Sequence, residues 1–111
     1  MSRDLRRFPR IASQHAVLVK RLGGNEVEEL TSTRSLGLGG CSFLGDESLG
    51  VGSVVEILIS VRHEVVRTKA KVAYEIAEPD GRCEIGLEFI DLEGVDRERI
   101  EQLFEKDGAA D

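Results

Sequence analysis

Three successive stretches of this chain alternate apolar and polar residues with a period of two, and turn residues separate them. In 54–61, Val55, Ile57, Ile59 and Val61 fall on one face. In 65–77, Val66, Thr68, Ala70, Val72, Tyr74 and Ile76 share a face, while Arg67, Lys69, Lys71 and Glu75 take the other. In 83–89, Cys83, Ile85, Leu87 and Phe89 point one way, and Glu84 and Glu88 the other. Period two is the signature of a half-buried strand. Arg62-His63 leaves room only for a tight connection, and Pro79-Asp80-Gly81 is a strong turn. Strands of this kind need paired edges and one covered face, which points to an antiparallel β protein.

The flanking sequence extends the pattern. Residues 14–21 read as a first strand, Gly23-Gly24-Asn25 as a turn, and 26–34 as a weakly patterned returning strand. A Gly-rich turn at 35–40 leads to a short strand at 41–44, and a loop follows from Gly45 to Ser53. The period then changes: in 95–106, Ile100, Leu103 and Phe104 recur at helical spacing. Asp96 suits the positive end of that helix, and Gly108 is a stop signal. Six short strands predict a mainly β fold, a small six-stranded antiparallel β-barrel with a C-terminal α-helix capping or flanking it. Closure would leave no exposed edges. At 111 residues the chain is expected to be one domain, 1–111. Within it, 1–13 would be a flexible Arg-rich N-terminal arm, 14–90 the barrel and 95–106 the helix.

Several function classes drop out. No run approaches the roughly 20 apolar residues of a membrane span. The Arg-rich start is not followed by the apolar core of a secretory leader, so a cytoplasmic location is expected. Cys41 and Cys83 lie far apart, as do His15 and His63, and no spacing suits a metal site. Two small buried thiols in a reducing compartment are expected instead. There is no G-x-S-x-G, H-E-x-x-H or P-loop, so neither an enzyme nor a cofactor is predicted.

Charge is unevenly placed. Residues 1–10 carry Arg3, Arg6, Arg7 and Arg10 against Asp4 alone, which makes them +3 and leaves −9 for the remainder of a chain whose net charge is −6. With only five aromatic residues besides, a single-stranded nucleic-acid binder is disfavoured, and no DNA or RNA partner is expected. A local arginine cluster still suits a small anionic ligand. Arginine matches phosphate bidentately, pairs with the O6/N7 edge of guanine and stacks on flat bases. The same segment also reads as an ordinary basic tail. Ser35-Leu36-Gly37-Leu38-Gly39-Gly40 has two readings as well: a tight reversal, or a place where backbone approaches a ligand. Arg67, Lys69 and Lys71 read as a solvated outer face, and Tyr74 as core.

Arg6-Arg7-Phe8-Pro9-Arg10 followed by the Gly-rich segment resembles the PilZ domain family, with its R-x-x-x-R motif and its later [D/N]-x-S-x-x-G turn. Gly86-Leu87-Glu88-Phe89-Ile90-Asp91-Leu92 and the helix after it are similar to the family's C-terminus. The second motif is degenerate: Ser35 stands at the Asp/Asn position, Gly37 at the Ser position, and Gly40 at the final Gly. A second register would put Thr33 and Ser35 at the polar positions but Leu38 at the Gly. The resemblance implies a stand-alone receptor for the bacterial second messenger cyclic di-GMP. Its ligand-binding residues would be Arg6, Arg7, Arg10, Ser35, Gly37, Gly39 and Gly40. It also implies relay to a downstream protein partner as the N-terminal arm becomes ordered. The alternative is a PilZ-fold interaction module that has lost or weakened ligand binding.

Overall fold

The computed structural model describes residues 10–22 and 26–109. Seven strands and one helix follow in order: β1 (Arg10–Ala12), β2 (Ala16–Arg21), β3 (Val27–Gly37), β4 (Gly40–Gly45), β5 (Val54–Val61), β6 (Glu64–Ala77), β7 (Cys83–Phe89) and α1 (Gly94–Ala109). All pairings are antiparallel, in the order β3-β2-β5-β6-β7-β4, and a β3–β4 pairing closes the ring. The six expected strands thus form a closed six-stranded barrel, with a single C-terminal helix.

β1 is the seventh strand and lies outside the ring, on β3. The long β3 explains it. Its first half pairs with β2 up to Ser32, and its end, Ser35 to Gly37, pairs with β1 along the same edge. Residues 13–15 step between the two. Ser13 N donates to the Arg34 carbonyl at 3.0 Å, and Thr33 N to the His15 carbonyl at 2.8 Å. Thr33 Oγ1 also accepts from His15 N at 2.9 Å and bonds the Ser13 hydroxyl. Residues 10–12 of the expected arm are therefore strand; 1–9, like the expected turn at 23–25, lie outside the described residues.

The alternating apolar residues fill the barrel. Val17, Val19, Val55, Ile57, Ile59, Val61, Val66, Ala70, Val72, Ile85 and Leu87 are all buried. Ile100 of α1 is buried in the same cluster, with Leu103 and Phe104 packed against it, as the helical spacing predicted. The connection between β5 and β6 is a two-residue turn with positive φ at both Arg62 (51°) and His63 (70°), the twist that suits a tight hairpin.

Two irregularities place the outer face. β3 slips against β4 between Thr33 and Ser35, and β6 slips against β7 between Val72 and Tyr74. One extra residue in a strand turns every later side chain to the other face. The expected inward face of 65–77 therefore holds only as far as Val72. Beyond it Tyr74 pairs with Gly86, Ile76 with Glu84, and both turn outward; Ile76 is 53% exposed. Glu75 takes the opposite direction and organises the 46–53 loop: its Oε1 accepts from Ser48 Oγ at 2.6 Å, and its Oε2 from the backbone N–H groups of Leu49 and Gly50.

Candidate functional site

The slip in β3 decides which hydroxyl faces outward. Thr33 sits opposite Phe43 and is buried; past Arg34, Ser35 sits opposite Ser42. The two serine hydroxyls are 2.7 Å apart. β1 runs alongside, with Ala12 opposite Ser35 and Arg10 opposite Gly37. Ser35 thus reaches the outer wall, whereas Thr33, the first polar residue of the other register, is buried.

The expected Gly-rich turn is shorter than the sequence suggests. Strand β3 runs through Gly37, β4 begins at Gly40, and only Leu38 and Gly39 form the bend. Gly39 contributes its carbonyl, which accepts from Phe89 N at 2.9 Å. Gly40 is required by close approach: a Cβ there would lie 2.0 Å from the Leu87 carbonyl oxygen and 2.7 Å from Arg10 Nη2.

Arg10 crosses this gap. Its Nη2 donates to the Leu87 carbonyl at 3.1 Å. Its Nε and Nη1 are buried with no hydrogen-bond partner among the described residues. Leaving charged donors in that state costs more than a neutral group would. The remaining arginines of the motif, Arg6 and Arg7, lie outside the described residues.

The slip in β6 brings a residue that sequence reasoning assigned to the core. Tyr74 is half-buried on the outer wall, against Gly86; a Cβ at Gly86 would lie 2.0 Å from the ring's Cε2. Its hydroxyl donates to Glu84 Oε2 at 3.1 Å, and the other oxygen of Glu84 accepts from Arg34 at 2.9 Å. Burial raises the Tyr74 pKa, the charge of Glu84 and the hydrogen bond to it raise it further, and the Arg10 guanidinium opposes them. One wall therefore carries Arg10, Gly37, Gly40, Ser35, Ser42, Gly86 and Tyr74. The only sequence signal for Tyr74's place was the missing side chain at Gly86, within a run otherwise alternating large residues.

Beside this wall lies an open groove of about 690 Å³, bordered by Ser13, Thr33, Arg34, Leu44 and Arg82. Among the described residues no cluster of His, Cys, Asp and Glu could hold a metal ion, and no helix is long and apolar enough to cross a membrane.

The small closed barrel thus carries a polar, glycine-lined face on its outer wall, beside a strand that carries arginine. The PilZ domain model matches residues 4–106, and the chain belongs to that family. Solved structures share the fold. The Bacillus subtilis inhibitor of motility MotI/DgrA aligns with a TM-score of 0.80 at 18% identity, over 99% of this chain and 53% of that one. Escherichia coli YcgR in complex with c-di-GMP aligns at 0.74 and 18%, over 96% and 48%. The PilZ domain of YcgR with c-di-GMP aligns at 0.68 and 15%, over 96% and 95%. The chain thus spans about half the length of the first two. No curated protein matches it.

Proposed function

We propose that this chain binds cyclic di-GMP on the outer wall formed by β1, β3, β4 and β7, and passes the signal to a partner protein. The observation that carries the reading is Arg10: two buried guanidinium nitrogens without hydrogen-bond partners among the described residues, on a guanidinium seated against Gly40. A guanine edge or a phosphate would satisfy them bidentately. Membership of the PilZ family and the c-di-GMP complexes of E. coli YcgR with the same fold support the choice of ligand.

Arg6, Arg7 and Arg10 would take the phosphates and guanine edges, Arg10 from its place on β1, and the segment before β1 would become ordered over the ligand. Ordering it creates a surface that a partner can read. Ser35 replaces the longer acceptor of the family motif, and loss of one bidentate base contact costs about 1–3 kcal/mol, roughly 5- to 150-fold in affinity. The Ser35 hydroxyl is in addition bonded to that of the buried Ser42, which holds it in place on the wall.

Calorimetric titration of cyclic di-GMP into the chain, at two salt concentrations, tests the proposal. Binding that weakens with salt and vanishes in Arg6→Ala/Arg10→Ala is expected. Folded wild type that takes up no ligand would contradict it and leave the ligand-free interaction module.

A further inference from the structure

The barrel wall formed by β3, β2, β5 and β6 carries an apolar row on its outer face. Leu30 of β3 pairs with Leu18 of β2, and Leu18 with Leu58 of β5. These three residues lie between the inward positions of their strands, so all three point outward. Leu30 is 69% exposed, the most exposed of the large hydrophobic residues described. Val65, 53% exposed, sits two residues along β6 from Arg67, the residue paired with Leu58. Leu18 and Leu58 are half-buried and Leu30 is exposed, all three outside the inner face that holds the core.

The row ends in positive charge. Leu58 pairs with Arg67, and Arg67, Lys69 and Lys71 follow along the exposed face of β6. Lys69 stands opposite Glu56, but Glu56 is engaged by Lys20 at 3.7 Å, and Lys71 stands opposite Glu88 without an ion pair to it. None of the three cations has a side-chain ion pair or hydrogen bond among the described residues. In a chain of net charge −6, three unpaired cations on one strand beside leucines form a distinct surface.

We propose that this face docks an amphipathic helix of a partner protein, with its leucine stripe across β5, β2 and β3 and an acidic end against β6. The spacing fits: neighbouring strands are about 4.8 Å apart, close to the ~4.5–6 Å rise between helix residues i and i+3 or i+4. The charge is complementary, because the cations lack partners of their own. Nucleic acid fits less well, since the face has leucines where stacking platforms are needed and the whole chain is acidic. This inference rests on the partner half of the proposed function and is independent of the ligand half.

The test uses the full chain, ¹⁵N-labelled, and a synthetic helix with leucines on one stripe and glutamates in its last turns. A second helix carries lysines in place of the glutamates. The glutamate helix should shift the amides of Leu18, Leu30, Leu58, Arg67, Lys69 and Lys71. Arg67→Glu/Lys69→Glu/Lys71→Glu should weaken it at least about tenfold, and Leu30→Ser should weaken it too. Equal binding of the lysine helix, shifts confined to other faces, or no binding would overturn the proposal. So would dimerisation of the chain through this face, or tighter binding of anionic vesicles or an oligonucleotide. Cyclic di-GMP calorimetry on the triple variant separates the two readings: unchanged ligand binding with lost helix binding is expected, whereas loss of both would mean that the cations serve the ligand and not a partner.

Discussion

Arg10 Nη2 donates to the main-chain carbonyl of Leu87 at 3.1 Å, across the space that Gly40 leaves by having no side chain. This bond joins β1, which lies outside the barrel, to β7, which lies within it. It also fixes the guanidinium, whose other two nitrogens are buried without hydrogen-bond partners among the described residues.

Tyr74 reports on that guanidinium. It is the sole tyrosine in a chain without tryptophan, so its absorbance and fluorescence are single-site signals. Burial, then Glu84, raise its pKa, and Arg10 lowers it. Arg10→Ala should therefore move the ultraviolet titration of Tyr74 to higher pH, and Glu84→Gln should move it lower. An unchanged titration in Arg10→Ala would mean that the two side chains are not neighbours.

Gly40 and Gly86 differ in what opposes an added methyl group. At Gly40 the obstacle is the Leu87 carbonyl, part of the backbone; at Gly86 it is the Tyr74 ring, which can rotate away. Overpacking that forces backbone shifts costs typically about 1–3 kcal/mol. Gly40→Ala should lie in that range by chemical denaturation, and Gly86→Ala below it. Gly86→Ala should in addition change Tyr74 fluorescence, which Gly40→Ala should alter less.

The two thiols should separate cleanly. Burial pushes Cys41 up to about 12, with Arg10 opposing; Cys83 is raised too, by burial and then by the charge of Glu75, but it is only half-buried at the start of β7. Thiolate is the reactive form. A thiol reagent at mildly alkaline pH should label Cys83 in the native chain and reach Cys41 only through unfolding. Rapid labelling of both in the native state would contradict the buried position of Cys41.

His15 gives a pH dependence of known sign. Its Nδ1 is buried without a partner among the described residues, and burial lowers its pKa from 6.5. The folded state thus disfavours the imidazolium, and the unfolded chain binds more protons below 6.5. Stability from this group is complete above that value and declines as pH falls through it. Carboxylates stay ionised down to about pH 5, so between about pH 7.5 and about pH 5.5 the melting temperature should fall less in His15→Gln than in wild type.

The barrel was legible because its inner face repeats at period two through Val55–Val61, Val66–Val72 and Ile85–Leu87, and hydrophobic burial requires that repeat. Tyr74 and Ile76 were misplaced for a related reason. Their spacing continues the pattern, and a one-residue slip after Val72 leaves no trace in the order of residue types. Arg10-Ile11-Ala12 reads as arm in the sequence because three residues are too few to show a period. The strand end Ser35-Leu36-Gly37 reads as turn because Gly37 and the glycines at 39 and 40 hide the alternation. The site depends on both slips, so the motif residues could be named from sequence while their outer-wall neighbours, Ser42, Gly86 and Tyr74, could not.

The most direct test is a nuclear magnetic resonance titration of the full chain with cyclic di-GMP, following the side-chain Nε–H of Arg10 and the amides of Ser35, Gly37, Gly40, Ser42 and Gly86. A ligand seated on this wall should move all of them together, with the largest change at Arg10 Nε–H. Binding that leaves Arg10 Nε–H and these amides in place, while shifting residues elsewhere on the barrel, would contradict the site.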